Sequence, residues 1–482
     1  LKMTWDVVVI GGGFGGMTAG LRAAELGLKA VIIERGADAD YLCNSRIAGG
    51  HVTICMSDPA GPAAPIAEKI LTETGGTVTP EFARAYAAHA RPMIEWLRGQ
   101  GIRFIRIGSD PARQWVMAPP RRGQPGLNWK GMGPDVALRQ LKDAFVTRGG
   151  SLRYGSRAVD LVMDSGRCVG VQVQQGTEVL TLQTQAVVLA DGGFQGDVQA
   201  VRRYISKHPD KLMQRNARSA TGDGLRMAAS AGAKLVGMDR FYGHPLAREA
   251  LTNDQLWPHP YLDPMIVHGI VVDSSGKRIV DEGKGAVYVA NVIAARENPL
   301  DAFVVFDERV WSGPAADITA PPAPNPTLKT GGATIYSADT IERLAHKAGI
   351  PVQPFVATVE GFNRCLGQCT LTELDPIRSD AKVKPEPIRK PPFYAIPMCV
   401  GLTYTMGGPA IDSNARVLDE SDHPIEGLFA VGSTCGGLEG GPFAGYLGGL
   451  AKAFIFGLRA AERIAHDLED GSPAVRMAAG RA

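Results

Sequence analysis

Four β-branched apolar residues, Val7-Val8-Val9-Ile10, run straight into Gly11-Gly12-Gly13-Phe14-Gly15-Gly16, and a small-residue amphipathic stretch from Met17 to Leu26 follows. Strand, glycine turn and helix in that order constrain this chain more than any other feature. The spacing divides the labour: Gly11 permits the tight turn, Gly13 lets a phosphate approach the backbone, and Gly16 lets helix and sheet pack closely. Free N–H groups and the dipole at the helix start then favour an anion. A second apolar strand, Ala30-Val31-Ile32-Ile33, delivers Glu34, 21 residues beyond Gly13, with Arg35 next to it. A carboxylate there accepts from ribose hydroxyls and repels a 2′-phosphate, so the expected dinucleotide is FAD or NAD and not NADP. A second glycine-rich run, Gly427 to Gly449, lies at the far end of the chain. Two such runs so far apart favour the flavin.

Length and composition narrow the setting. A chain of 482 residues is too long for one hydrophobic core, so two to three domains are expected. A net charge of +2 without any lysine or arginine block leaves no footprint for nucleic acid. No apolar run approaches the ~18 residues that span a bilayer, so no transmembrane segment is expected. The first residues lead directly into the first strand, which leaves no room for a leader. Seven scattered cysteines suit a reducing cytoplasm and not a disulfide framework. Cys365 and Cys369, four apart on an expected helix, read as two small buried hydrophobes, and no metal site is expected.

Apolar spacing predicts helices over 80–100 and 134–148. Between them, Asp110 to Gly133 is irregular and rich in Pro, Gly, Arg and Trp, and loops of this length are often functional. Arg113, Arg121 and Arg122 lie in it; most such arginines are only solvated, but one can clamp a carboxylate bidentately, and Arg113 is the substrate candidate. Alternation over Ala158–Met163, Cys168–Gln174 and Glu178–Leu182 predicts an antiparallel meander. A separate buried strand, 186–190, then ends in Asp191-Gly192-Gly193-Phe194. A helix is expected within 221–235. From 237 to 385 the composition shifts toward Pro, aromatic residues and short strands, with the surface loop Pro321-Pro322-Ala323-Pro324-Asn325-Pro326 inside it; this reads as an inserted second domain. The strand Gly427–Gly432 re-enters the first domain, and a helix from about Gly448 to Asp467 closes it.

At this point the chain resembles the flavoprotein family of fumarate reductases, succinate dehydrogenases and 3-ketosteroid dehydrogenases, over nearly its whole length. The marks are the glycine turn with Glu34, Asn44-Ser45 through Ala48-Gly49-Gly50, Ala190 to Phe194, and Thr221-Gly222-Asp223-Gly224. They continue with His244-Pro245, Gly269 to Glu282, Thr405-Met406-Gly407-Gly408, and the run from Gly427 to Gly449. The resemblance implies an α/β fold: a Rossmann-like bipartite FAD-binding domain (1–236 and 386–482) with an inserted α+β capping domain (237–385). It implies that Ala158, Gly192, Gly193, Gly432, Ser433, Gly448, Gly449 and Leu450 also touch FAD. A small-molecule substrate would lie between the two domains. The turn at Asn44 to Gly50 carries no histidine, so the covalent flavin link of the membrane succinate dehydrogenases looks absent and FAD should be noncovalent.

Departures from the family matter for function. A fumarate reductase would carry histidine where this chain has Tyr404 and arginine where it has Tyr446. The arginine acid after Asp281-Glu282 is also missing, with Lys284 and Tyr288 nearby instead, so that of the usual cationic cradle only His244 remains. The rest resembles the ketosteroid-type branch, in which a Tyr-x-Gly-x-x step polarises a ketone oxygen; Tyr446-Leu447-Gly448-Gly449-Leu450 has that form. The resemblance implies a dehydrogenase that introduces a C=C bond next to the carbonyl of a cyclic ketone, steroid-like or a smaller keto acid. Tyr404 or Tyr288 is the candidate proton acceptor, Tyr446 with Gly449 the enolate site, and hydride leaves to the flavin. Each tyrosine, and a hydrogen-bonded His244, also reads as ordinary core. His259 and His268 read as structural or surface residues. Two other readings stay open: a dehydrogenase or reductase of a small keto- or polycarboxylic acid, and a flavin electron-transfer subunit.

Overall fold

A computed structural model describes residues 4–121, 125–317, 322–379 and 383–470. Arg122 and Pro321 lie outside the described residues. The strand Thr4–Ile10 sits within an eight-stranded sheet, six of whose strands run in the order 416–418, 424–430, 178–189, 4–10, 30–33, 151–153, with 156–164 and 167–175 branching from 178–189. Its Val7 to Ile10 pair in parallel with Ala30 to Ile33 on one side and with Ala186 to Leu189 on the other. The run is apolar throughout because a central parallel strand is buried on both faces. Helices Phe14–Glu25 and Gly449–Glu469 pack on each other over one face of this sheet.

Pro424–Ala430 pairs in parallel with Glu178–Leu189, so the late strand completes a sheet begun by residue 4. The meander forms as expected, as Ser156–Asp164, Arg167–Gln175 and Glu178–Leu189. Its third member differs from the expectation. It does not stop at residue 182 but runs unbroken into the buried stretch, its first half solvent-facing and its last four residues buried. One strand thus serves both as meander edge and as sheet core. The helix expected over 80–100 breaks at His89 into Pro80–Ala88 and Ala90–Gly99.

A second, six-stranded sheet centres on Phe393–Thr405, which pairs with Phe241–Ala247, Phe303–Asp307, Tyr336–Ala338 and Leu212–Gln214. Sheet membership therefore runs past both 237 and 385, the limits read from composition. Apolar strands of either sheet look alike in sequence, and only pairing tells them apart. Opposite Tyr242 and Gly243 the pairing skips from Tyr404 to Leu402, which leaves Thr403 as the extra residue of a β-bulge. No helix among the described residues is long and apolar enough to cross a membrane. Cys369 is exposed, while Cys365 is buried, which corrects the reading of that pair. No cluster suited to a metal ion occurs among the described residues.

Candidate functional site

Four neighbouring parallel strands end at one edge of the first sheet, and each hands its next residues to a single cavity: Ile10 to Gly11, Ile33 to Glu34, Leu189 to Ala190, and Ala430 to Val431. Carboxyl ends of parallel strands are where open α/β sheets bind ligands. The cavity has a volume of about 640 Å³. The expected cofactor residues line it, with four exceptions: Gly16, Gly193, Gly222 and Gly448. Those four lie one layer back. Gly16 faces Val9 and Ala190 beneath the turn, and Gly448, at φ +117°, is held against the Thr53 carbonyl, where a Cβ would collide. Gly11 turns at φ +103°, and a Cβ there would lie 2.6 Å from the Ala190 oxygen.

The helix Phe14–Glu25 starts at Gly13 with no side-chain cap and no acidic residue in its first turn, and Gly11 to Gly15 border the cavity. A helix start on a glycine turn, with no acidic residue in its first turn, fits a pyrophosphate. Ser45 accepts from the Phe14 N–H at 2.8 Å and fixes the approach of the second turn. Glu34, 8% exposed, accepts from the N–H groups of Gly12 and Gly36, both at 2.8 Å. Each of its oxygens keeps a lone pair for a ribose hydroxyl. Beneath the Asn44 turn, Arg46 is wholly buried against Asp135 at 2.6 Å and lies over the rings of Tyr41 and Trp129. The residues present therefore fit FAD. Asp191, beside the glycine turn, is pushed up to about 6 by burial, despite accepting from the Gly224 N–H at 2.7 Å, with the Asp223 charge adding to the rise.

The other end of the cavity is aromatic and cationic. Tyr242, Tyr404, Tyr446, Trp257 and Tyr261 border it. Tyr446 stacks on Tyr242 with ring centroids 4.2 Å apart, and Tyr242 faces Tyr404 across the strand pair at 5.3 Å. Arg215 and Arg121 also line it, and among the described residues no carboxylate lies within ion-pair distance of either. Arg215, 8% exposed, donates from Nε to the Pro258 carbonyl at 3.0 Å, from Nη1 to Thr403 Oγ1 at 2.6 Å, and from Nη2 to Tyr261 Oη at 2.6 Å. Of the five donors of a guanidinium, one on each Nη remains. Arg121 donates to the carbonyls of Ile47 and Gly126, and burial together with the Arg215 charge pushes it down to about 10, still cationic at neutral pH. Arg113 lines the cavity as well, 3.5 Å from Asp110.

Several expectations are corrected here. The cationic character is not confined to His244; it is carried by Arg215 and Arg121, and His244 does not line the cavity at all. Tyr288 does not reach the cavity either. It sits on the helix Ala286–Ala294, against the second core, with the Lys284 ammonium 4.7 Å over its ring. Tyr404 does line it, but its hydroxyl donates to the Glu439 carboxylate at 3.0 Å. Glu439 also accepts from the Leu447 N–H at 3.0 Å and the Lys452 ammonium at 2.6 Å, and this carboxylate and ammonium are fully buried. Burial and the Glu439 charge hold the Tyr404 phenol far above its usual range, so it keeps its proton and is a poor base. Tyr446 is also pushed up, by burial first and by Glu439 second. Arg215 stands in no recognisable motif; nothing local marks it. Tyr242 was traceable in principle, two residues before His244 on the same strand.

An NADH:acrylate oxidoreductase from Vibrio harveyi is 29% identical over 78% of this chain, which spans only 36% of that enzyme. A 4-oxocyclohexanecarboxylate 2-dehydrogenase from Sinomonas cyclohexanicum is 28% identical, over 93% of this chain and 90% of that enzyme. Among solved structures, the 3-ketosteroid Δ1-dehydrogenase from Sterolibacterium denitrificans superposes with a TM-score of 0.73 at 22% identity, covering 96% of this chain and all of the other. A flavocytochrome c3 fumarate reductase does so at 0.66 and 23%, covering 96% of this chain and 78% of the other. These two share the fold. The FAD binding domain family matches residues 6–445, and the chain belongs to that family.

Proposed function

We propose that this chain is an FAD-dependent oxidoreductase that forms or reduces a C=C bond conjugated to the carbonyl of a small cyclic substrate carrying a carboxylate. One observation carries the reading: two guanidinium groups with no carboxylate at ion-pair distance among the described residues share a cavity with a cluster of tyrosines. Buried cations without an ion-pair partner favour an anionic ligand. The full-length relative whose name gives a ring ketone bearing a carboxylate supports the same substrate class. FAD, when bound, supplies the two-electron acceptor or donor.

In this reading the free Nη donors of Arg215 take the carboxylate in a two-point grip, and Arg121 adds charge beside it. Gripping a group remote from the reacting carbons converts binding energy into orientation. Tyr446 donates to the carbonyl oxygen, and the uncapped start of the helix Gly449–Glu469 adds its dipole where enolate charge develops. The buried pair of Glu439 and Lys452 holds the Leu447 N–H and the Tyr404 hydroxyl, and so fixes the turn that carries Tyr446. FAD is held noncovalently: Tyr41 is engaged with the Gly12 carbonyl, and burial pushes the Cys43 thiol up to about 11. The seven free cysteines support a cytoplasmic setting.

The test is a panel of ring ketones with and without a carboxylate, mixed anaerobically with the oxidised holoenzyme while the visible flavin band is followed. A ring keto acid should bleach the flavin, and its neutral counterpart should do so far more weakly. Bleaching by neutral ketones alone would overturn the reading.

A further inference from the structure

His244 was expected to meet the substrate, and it stands one residue behind the cavity wall. Its Nε2 lies 2.9 Å from the hydroxyl of Tyr242, and its Nδ1 lies 2.8 Å from Oδ2 of Asp263. Tyr261 stacks flat on the imidazole, with ring centroids 4.0 Å apart and planes within 5°. A carboxylate only accepts, so Nδ1 carries the hydrogen, and Nε2 is left to accept from the phenol. Asp263 Oδ1 is buried with no partner among the described residues, so no other donor draws on that carboxylate oxygen. The chain phenol, imidazole, carboxylate ends at the cavity, because Tyr242 lines it and faces Tyr446.

Tyr404 is bound to Glu439, Tyr288 is remote, and Asp191 sits at the glycine turn. His259 lines the cavity, but burial and the Arg215 charge hold it well below its usual range, which leaves it a weak base. Burial likewise raises the Tyr242 phenol, so a free tyrosinate does not stand ready. A phenol in this state transfers a proton efficiently only if its own proton leaves in the same step, and an acceptor lies within hydrogen-bond reach.

We propose that Tyr242 is the group that exchanges the α-proton with the substrate, while His244 takes the phenol's proton and Asp263 holds the imidazole in the tautomer that permits it. This rests on the reading of the site given above. In the forward step the Cα–H bond breaks and its proton goes to the Tyr242 oxygen. The phenol's proton passes to His244 Nε2, the C–H electron pair becomes the C=C of the enolate, and a carbonyl pair moves onto oxygen. The imidazolium so formed is balanced by Asp263 and lies on the face of Tyr261, where a cation is also favoured. Tyr242 is the catalytic residue; His244 and Asp263 are positioning residues that act through it.

Proton exchange can be read without hydride transfer. The dithionite-reduced holoenzyme is incubated with a saturated ring keto acid in deuterated buffer, and loss of the α-proton signal is followed by NMR. Tyr242→Phe, which keeps the ring stack, should slow exchange by roughly 10²-fold or more, with little change in the Kd for the acid. The groups facing His244 are Tyr242, Tyr261 and Asp263, with Arg215 and His259 beyond Tyr261. Asp263→Asn, which keeps the shape but replaces the acceptor at Nδ1, should slow exchange by roughly 10-fold or more while the Kd for the acid stays unchanged. Exchange by Tyr242→Phe at the wild-type rate would overturn the relay and leave the proposed function standing. Wild-type protein that neither exchanges nor bleaches with any ring ketone or keto acid would overturn both.

Discussion

Arg215 offers the sharpest test of the substrate class. Its Nε and two of its four Nη donors are committed to Pro258, Thr403 and Tyr261, and the remaining two are the proposed grip on a carboxylate. A hydrogen bond to a charged group contributes about 1.5–3 kcal/mol, so losing two would cost about 3–6 kcal/mol in a dry site. Arg121 stays in the cavity and keeps part of the attraction, and water fills part of the vacated space. A loss of about 3 kcal/mol, or roughly 10²-fold in affinity, is the expected outcome for Arg215→Gln with a ring keto acid. Arg215→Lys keeps the charge but not the fork, and should lose about 10-fold. The same ring ketone without its carboxylate should bind both variants as it binds the wild type, within about 2-fold. Affinity is measured by perturbation of the flavin spectrum in anaerobic titrations, and a melting curve on each variant checks the fold. Equal losses for the acid and the neutral ketone would refute the reasoning, because a grip on the carboxylate cannot weaken a ligand that lacks one.

Tyr446→Phe keeps the stack on Tyr242 and removes one donor, so kcat should fall by roughly 10²–10³-fold with little change in KM or flavin content; near-normal turnover would make Tyr446 a packing residue. Acid precipitation should release all yellow colour into the supernatant, whereas colour in the washed pellet would point to a covalent link, with His51 the first side chain to examine, since it lines the cavity just beyond Gly50. Asp191 holds its proton up to about pH 6 in the folded chain, while an unfolded aspartate loses it near 4. The folded state binds more protons in that window, so this group's contribution is full below about pH 4 and is lost as pH rises through 6, on the order of 3 kcal/mol. Asp191→Asn should flatten the fall in the urea midpoint between pH 4.5 and 7 relative to wild type; an unchanged pH profile would exclude the elevated carboxyl.

The FAD end of the site was legible because its signals are local. The turn Gly11 to Gly16, the strand that delivers Glu34 and the helix from Gly449 each depend on backbone conformation over a few residues, and periodicity and glycine placement report that directly. The substrate end was not legible in this way. Tyr404 and Tyr446 were found through a family pattern, yet their roles separate only in three dimensions, where the Glu439 carboxylate accepts from the Tyr404 hydroxyl while Tyr446 stacks on Tyr242 at the cavity. Arg215 reaches the cavity because Leu212–Gln214 pairs with Val400 to Leu402 and because the bulge at Thr403 turns a hydroxyl toward it. Asp263 comes under His244 from a separate helix, Asp263–His268. Local sequence determines where strands, turns and helix starts fall, since those follow from steric and hydrogen-bonding limits on neighbouring residues. Which charges end up unpartnered, and which phenol keeps its proton, was decided by strand register and packing between residues far apart in the chain, because desolvation and charge pairing depend on distance in space and not along the backbone.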